Sequence, residues 1–416
     1  MTGTLTAPSP VAASGGRRSE YLALALMYFA QGLPAGLAFN ALGVLIRQGG
    51  HTVTDVGLTG FAFLPWALKF LWAGPIDNAC VRWGHARVVG VTQLLAVALC
   101  LGLTAFSPVD HLHVALLGII VLNTVCATQG IATNAYAVVR LQGRAAGAAN
   151  GIQVAGFIAG MLVGGGGLLV LYAHVGWAYS MVAMAALLLA LYVPLLLGRR
   201  WREPIAYLVA QPKARLRDLR RHADLGWALL IALVFKFAST AVGTLAQPWL
   251  VDRGLSLPQI GSLQMSNTVA TAAGGLLIGV PLVRWLGNCG AVLAGCMLAT
   301  AMLGMPWILE TSHTADLRVL YLAFGVQSLC EGAMYVAIWA LFMNWASPER
   351  PGTDYTAMQC CESLANAVAA GAIGGLGQRW GYGMAFGAAW LAGVLAVAFV
   401  ALGLRRLALR EEGRAP

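Results

Sequence analysis

Long apolar runs dominate this sequence and constrain its fold more than any other feature does. A helix needs about 20 mostly apolar residues to cross the hydrocarbon core of a bilayer. Backbone groups in lipid must form their hydrogen bonds within the chain, so such runs are predicted to be helices. We therefore expect an all-α polytopic membrane protein with 12 transmembrane helices, near residues 20–46, 55–76, 87–106, 113–136, 146–172, 176–197, 224–250, 258–283, 289–309, 317–345, 354–378 and 382–404.

Composition excludes an ordinary soluble domain. Hydrophobic residues make up 59% of the 416-residue chain and charged residues only 10%, whereas soluble domains carry about 25% charged residues. The eight cysteines fall mostly inside apolar runs and form no metal-ligand spacing with histidines. We therefore expect no disulfide framework and no metal site. The sequence has no phosphate-binding loop of the GxxxxGK type, so neither ATP nor another cofactor is expected.

Arginine and lysine are distributed unevenly between the predicted loops. With the N-terminus placed in the cytoplasm, 20 of the 26 lie on the cytoplasmic side and 4 on the outer side, while Lys69 and Lys236 lie within runs. Cytoplasmic loops of membrane proteins carry such an excess. Both termini are therefore predicted to be cytoplasmic, in a bacterial inner membrane. The same bias explains the net charge of +10 without nucleic acid as a partner.

Two segments of the first half resemble segments of the second half at an offset of about 205 residues. Leu45–Gly57 corresponds to Leu250–Gly261, and Gly143–Gln153 corresponds to Glu349–Gln359. A constant offset indicates an internal repeat, here two six-helix pseudo-repeats. The predicted domains are a disordered cytoplasmic N-terminus (1–19), an N-terminal six-helix bundle (20–197), a basic cytoplasmic linker (198–223), a C-terminal six-helix bundle (224–404) and a cytoplasmic tail (405–416).

Ionisable residues inside the predicted spans indicate function, because a charge in lipid is costly. Lys236 and Glu331 lie at similar depths in the seventh and tenth runs, about 18 Å deep by helix rise, which predicts a pair. Either protonation of Glu331 releases Lys236 and couples proton movement to substrate binding, or the pair is static. Glu362 is either a second proton carrier or the partner of a cytoplasmic arginine. Lys69 either extends to the cytoplasmic interface or contacts an anion or a second helix.

Neutral polar and aromatic side chains in the spans predict a cavity between the two bundles. Gln31 corresponds to Lys236 by the repeat offset, and two such positions would flank a site near the midplane. Each of these residues alone is more often a helix–helix hydrogen bond than a ligand contact. Together, the predicted cavity residues are Gln31, Asn40, Asn123, Asn134, Lys236, Gln327, Tyr335 and Trp339.

The segment LPWALKFLWAGPIDN, Leu64–Asn78, resembles the loop motif of the major facilitator superfamily. In that motif an acidic residue ends the second helix and basic residues open the third. Asp77, Arg82 and Arg87 match this pattern. The resemblance implies the major facilitator fold and a loop that locks the two halves in one conformation. We therefore expect these three residues, with Lys69 in the preceding helix, to form a conformational gate.

The same segment is similar to the branch that holds muropeptide permeases and acetyl-CoA transporters. Within that branch, Tyr28–Gly50, the Asp77–Asn78 pair and Thr353–Cys360 are similar to siderophore permeases of the rhizobactin and pyochelin type. This resemblance implies import of a siderophore or its iron chelate without ATP. We expect the import to be coupled to protons, from the charges within the spans, and the protein to function as a monomer. A muropeptide permease and an exporter of siderophores or drugs are the alternatives. A membrane-embedded enzyme or a sensor is disfavoured, because the sequence has no catalytic cluster and no signalling domain.

Overall fold

The computed structural model describes residues 14–49, 58–197, 223–255, 257–312, 316–347 and 350–412. These residues form helices joined by short turns, and no strand occurs among them. The predicted all-α fold is therefore confirmed. The residues before 14, the linker residues 198–222 and the last four residues of the tail lie outside the described part of the chain.

The first half of the chain, residues 14–197, contains helices α1 to α8. The first helix begins at Ser14 rather than near residue 20, so the end of the segment predicted to be disordered is helical. Extending an existing helix is easier than starting one, because each added residue gains a hydrogen bond. The helices are α1 (Ser14–Gly36), a π-helical turn (Leu37–Ala41), α2 (Leu42–Gln48), a 3-10 helix (Leu58–Phe63), α3 (Leu64–Leu68), α4 (Phe70–Trp83), α5 (His85–Gly102), α6 (Leu112–Leu141), α7 (Ala146–Leu162), a second π-helical turn (Val163–Gly167) and α8 (Leu168–Leu197).

The second half, residues 223–412, contains helices α9 to α15. Its last helix extends to Glu412, so part of the predicted tail is also helical. The helices are α9 (Ala223–Val234), α10 (Phe237–Asp252), α11 (Leu257–Gly274), a third π-helical turn (Gly275–Gly279), α12 (Val280–Leu303), α13 (Met305–Thr311), α14 (Leu317–Trp345) and α15 (Pro351–Glu412).

Eight helical stretches in the described chain are long and apolar enough to cross a membrane. Two of them each contain two predicted runs, joined across a glycine with non-helical backbone angles, Gly176 or Gly287. A third such glycine, Gly381, divides α15 into the eleventh and twelfth runs. The second run is helical but interrupted at residue 69, between α3 and α4. The described part of each of the twelve predicted runs is thus helical, apart from residues 69, 106, 235–236 and 304.

Left-handed glycines occur at matching places in the two halves. Gly176 and Gly381, 205 positions apart, have φ angles of 77° and 78°. Gly84 and Gly287, 203 positions apart, have φ angles of 86° and 68°. Each joins two consecutive predicted spans, and a residue with a Cβ rarely adopts such angles. The pairs therefore support the internal repeat on grounds independent of side-chain similarity.

The hydrophobic core has one shared part and two separate parts. One buried cluster contains residues of both halves, among them Leu24 and Tyr136 from the first and Phe342 and Tyr355 from the second. It lies at the end of the bundle that carries Glu20, near the start of α1, which we call the Glu20 end. Two further clusters are each confined to one half, within residues 30–188 and within residues 238–389. Among the described residues, the buried apolar packing shared by the two halves therefore lies at the Glu20 end.

Candidate substrate cavity

A cavity of about 510 Å³ lies between the two halves, and residues from both line it. Pockets that hold small molecules have volumes of roughly 300–1,000 Å³, so the space suits a small solute. Its wall combines aromatic rings with amide and charged groups. Five of the eight predicted cavity residues line it: Gln31, Asn134, Lys236, Tyr335 and Trp339.

Lys236 lies at an interruption of the seventh span, between the end of α9 at Val234 and the start of α10 at Phe237. Its ammonium donates a hydrogen bond to the Tyr335 hydroxyl and lies 3.7 Å from Oε1 of Glu362. The Tyr335 hydroxyl donates to the same Oε1 at 2.5 Å. Hydrogen bonds with a charged partner are stronger than neutral ones. The three side chains thus form one charged network at the cavity wall.

The ion pair of Lys236 is with Glu362 rather than with the predicted Glu331. Both carboxylates line the cavity, and Lys236 acts on Glu331 only at longer range. Depth along a helix can be read from the sequence, whereas the partner depends on which face of each helix points into the cavity. For the same reason Glu362 is not the partner of a cytoplasmic arginine. The proton-carrying roles of both glutamates stay predictions.

Lys69 lies at a second helix interruption, between α3 and α4. Its ammonium donates to Oε1 of Gln359 at 2.5 Å and lies 5.3 Å from the ring centroid of Trp66. The same Gln359 oxygen accepts a hydrogen bond from Asn134 Nδ2 at 3.0 Å. Lys69 is only 4% exposed, so it does not extend to the membrane interface. It contacts a helix of the other half instead.

The polar residues of the first and fourth spans hold those helices to each other. Gln31 Nε2 donates to Thr133 Oγ1 at 3.0 Å, and the Tyr28 hydroxyl donates to Asn134 Oδ1 at 2.5 Å. These bonds fix the amide groups that face the cavity. Buried polar side chains need such partners, because an unpaired polar group in an apolar interior is costly.

Three predicted cavity residues do not line it. Asn123 accepts from Trp66 Nε1 at 3.0 Å and donates to the Ile119 carbonyl at 3.0 Å, so its role is helix–helix contact. Gln327 is buried away from the cavity, at 7% exposure. Asn40 lies in the π-helical turn after α1. The Gln327 Oε1 atom is buried without a hydrogen-bond partner in the described part of the chain, so a polar residue in a span indicates neither a ligand nor a fixed partner until the rotation of its helix is known.

Asp77 joins the two halves at the Glu20 end. Its carboxylate accepts hydrogen bonds from the backbone N–H of Gly352 at 3.0 Å and of Thr353 at 2.6 Å, and from Thr353 Oγ1 at 2.5 Å. These N–H groups belong to the first turn of α15, which begins at Pro351 and has no intrahelical partner for them. A carboxylate there also interacts favourably with the positive end of the helix dipole.

The preceding helix of the second half is capped from the first half as well. Gln142 Nε2 donates to the carbonyls of Met343 and Ala346, both at 3.0 Å, at the end of α14. The backbone N–H of Gly143 donates to Asn344 Oδ1 at 2.7 Å. Residues of the first half therefore satisfy unpaired backbone groups on both sides of the α14–α15 connection. These contacts close the cavity toward the Glu20 end.

Two of the four predicted gate residues take part in this closure. Lys69 and Asp77 both bind residues of the other half. Arg82 and Arg87 are exposed, and the Arg82 guanidinium lies 5.6 Å from the ring centroid of its neighbour Trp83. Within the described chain neither arginine contacts the other half, because each points to the surface of the bundle rather than to the interface.

Sequence reasoning missed Gln153, Tyr355 and Gln359 as site residues. All three contribute to the floor of the cavity or to its closure: the Tyr355 hydroxyl donates to Asn150 Oδ1 at 2.8 Å and to Gln153 Oε1 at 3.1 Å, and Gln359 accepts from Lys69. A signal was present, since Gln153 and Gln359 end the two repeat-related segments. Equivalent positions in two pseudo-repeats face the same central axis.

Comparison with known proteins agrees with this architecture. Residues 24–317 match the profile of the Major Facilitator Superfamily. The chain is 21% identical over 353 residues to AmpG 4 of Rickettsia conorii, covering 80% of this chain and 84% of that protein. It is 24% identical over 348 residues to the anhydromuropeptide permease of Escherichia coli K12, covering 82% of this chain and 71% of the permease. A bacterial homologue of the iron transporter ferroportin, solved in an outward-facing state, has the same fold (TM-score 0.70, 12% identity, 93% of this chain and 98% of that chain).

Proposed function

Because the chain belongs to the Major Facilitator Superfamily, we propose that it is a secondary transporter that imports a muropeptide, an amino sugar carrying a short acidic peptide. Movement is by alternating access, without ATP. The observation that carries this proposal is the cavity itself, which lies between two halves that contact each other at one end. Opening that end while closing the other would move a bound solute across the membrane.

The choice of substrate class rests on the relatives and on the cavity wall. One of the relatives above is named AmpG 4, and the other is named for anhydromuropeptides. Sugar rings present apolar faces that suit aromatic side chains such as Trp66 and Trp339, and the hydroxyl and amide groups suit Gln31 and Gln153. Peptide carboxylates suit the two lysines. The wall thus supports a solute that is partly apolar, rich in hydrogen-bonding groups and anionic.

A siderophore or its iron chelate is the second candidate substrate. The similarity of Tyr28–Gly50 and Thr353–Cys360 to siderophore permeases favours it, and a phenolate or carboxylate chelate would also suit lysine and aromatic groups. Neither relative reported above is named for a siderophore. We therefore rank this substrate below the muropeptide, and both belong in the same uptake experiment.

The charge bias of the loops gives the orientation proposed for the closed end, and import is the direction proposed with it. Placing the Glu20 end in the cytoplasm puts most arginine and lysine residues on that side, as in other membrane proteins. The described conformation then has its cavity closed toward the cytoplasm. A substrate would enter from the periplasm, and the Asp77 and Gln142 contacts would have to break for its release.

Proton coupling is proposed for the network of Lys236, Tyr335 and Glu362. In the described geometry the Lys236 ammonium is neutralised by Glu362, with the Tyr335 hydroxyl bound to both. A proton arriving at Glu362 would remove its negative charge and leave the ammonium available to an anionic substrate. Glu331, on the same wall, is the proposed second carrier. Proton entry and substrate entry would thereby favour each other.

Uptake into proteoliposomes tests the proposal. The purified protein is reconstituted, an inward proton gradient is imposed, and radiolabelled anhydromuramyl tripeptide or a ferric siderophore is supplied outside. We expect the muropeptide to accumulate above its external concentration and to leave when a protonophore is added. Protein-free liposomes are the control. Accumulation of the siderophore alone would show that the substrate is a siderophore and not a muropeptide. Accumulation of neither would overturn the proposal.

A further inference from the structure

We infer that the Lys69 ammonium is the binding site for a carboxylate of the transported solute, and that this carboxylate displaces the Gln359 amide from it. The inference rests on the proposed transport function but not on which anionic solute is carried. It assigns to the second span a ligand contact, whereas the resemblance to the superfamily implies only a gate there.

The partner of Lys69 is neutral, which is the first observation. Its hydrogen bond goes to an amide oxygen, the face of Trp66 lies nearby, and the Cys360 thiol also acts on it electrostatically. Within the described residues no carboxylate lies within 4 Å of its ammonium, and Glu362 acts on it only at longer range. A buried ammonium without a carboxylate is costly, so the site is strongly favourable to an incoming anion.

The position of Lys69 is the second observation. It lines the cavity from the first half, whereas Lys236 lines it from the second. Each lysine stands at an interruption of its span, and interrupted helices mark the binding sites of many transporters. Lys236 is already bound to Glu362. A solute carboxylate can therefore bind Lys69 without displacing a charged partner, whereas at Lys236 it would have to displace the Glu362 carboxylate.

The geometry also links this site to the closure of the cavity. Gln359 lies in α15, the helix whose first turn is capped by Asp77. Its amide oxygen accepts from Lys69 and from Asn134, which belong to two spans of the first half. A carboxylate on Lys69 replaces one of these bonds and so weakens the attachment of α15 to the first half. Binding of the solute therefore favours opening toward the Glu20 end.

The test compares anionic probes with their neutral forms on the purified protein. Thermal stabilisation is titrated with anhydromuramyl tripeptide against its carboxyl-amidated form, and with citrate against trimethyl citrate. The wild type is compared with Lys69→Met, which keeps the chain length without the charge, and with Lys69→Arg, which keeps the charge. Gln359→Leu removes the competing amide. Unfolding midpoints without probe show that each variant is folded.

We expect the wild type to prefer at least one anionic form by about tenfold, the effect of one hydrogen bond to a charged group. Lys69→Met should abolish that preference, Lys69→Arg should keep it, and Gln359→Leu should raise anion affinity a few-fold. Preference for citrate alone would overturn the muropeptide proposal and leave this inference standing. A wild type with no preference, or a Lys69→Met variant that keeps it, would overturn the inference.

Discussion

The two lysines of the membrane interior make a natural comparison. Lys69 and Lys236 come from opposite halves, stand at helix interruptions and line the same cavity. Lys236 is bound to a carboxylate and a phenol, whereas Lys69 is bound to an amide and lies over an aromatic ring. Two buried lysines at helix interruptions therefore have different electrostatic surroundings.

This difference indicates that the two halves have different roles in transport. A lysine neutralised by a carboxylate changes its availability when that carboxylate takes up a proton. A lysine paired with an amide cannot be switched in this way, because an amide does not titrate in the physiological range. We propose that the second half carries the main proton response and that the first half carries the main affinity for an anion.

The largest expected effect separates the two sites directly. Glu362→Gln removes the titratable partner of Lys236, so accumulation driven by a proton gradient should fall by about 100-fold, which corresponds to about 3 kcal/mol. Exchange of labelled for unlabelled substrate at equal pH should persist. Gln359→Leu, the matched change beside Lys69, should keep the ratio between accumulation with and without the proton gradient, even where total uptake changes. An equal loss of gradient-driven accumulation in Glu362→Gln and Gln359→Leu would show that the two lysine sites do not differ in their response to protons.

A carboxylate partner for Lys69, like the one that Lys236 has, should weaken the binding of solute anions at Lys69. Gln359→Glu places a carboxylate where the amide oxygen lies 2.5 Å from Nζ, and a charged hydrogen bond there should compete with the solute. We expect anion affinity, measured by thermal shift, to drop about tenfold or more. Gln359→Met is the neutral control. Unchanged affinity in the glutamate variant would show that solute anions bind elsewhere.

Removing the cap at the Glu20 end should affect both lysine sites alike. Asp77→Ala leaves the first turn of α15 uncapped, at an expected cost of about 1–2 kcal/mol to the closed conformation. Alkylation of a cysteine placed at the fully buried Met343 should become about tenfold faster, while preference between anionic and neutral probes stays the same. Asp77→Asn, which keeps one acceptor oxygen, should be intermediate. A change confined to one lysine site would contradict this account.

A smaller effect is expected from the phenol of the Lys236 network. Tyr335→Phe removes the hydroxyl that binds both Lys236 and Glu362 but leaves the two charges. One net hydrogen bond is worth about 0.5–1.5 kcal/mol, so the uptake rate at a fixed gradient should fall a few-fold. Retention of some coupling distinguishes this variant from Glu362→Gln. Complete loss would mean that the hydroxyl itself carries the proton.

The smallest effect is expected from the arginine of the loop motif. Arg82 is exposed and lies beside Trp83, so Arg82→Ala should change the unfolding midpoint and the alkylation rate at residue 343 very little, within about 0.5 kcal/mol. A large change in the alkylation rate would place Arg82 in the gate in another conformation of the transport cycle.

The membrane spans, the internal repeat and several candidate site residues of this protein could be predicted from its sequence. Each span is predicted by its own hydropathy, because the need to satisfy backbone groups in lipid applies to every segment separately. The repeat could be seen in segments such as Gly143–Gln153 and is supported by left-handed glycines such as Gly176 and Gly381. Lys69, Lys236 and Glu362 were identified as functional candidates because ionisable groups in a membrane are rare and costly.

Tertiary structure decided which of these groups meet. Glu331 and Glu362 are both carboxylates within the membrane, yet only Glu362 binds Lys236 directly. Gln359 is uncharged and was therefore not predicted as a site residue, yet it is the residue of the other half that accepts the hydrogen bond from Lys69. Hydropathy and depth are properties of one segment. Pairing depends instead on how helices distant in sequence are rotated about their axes and packed, and no single segment contains that information.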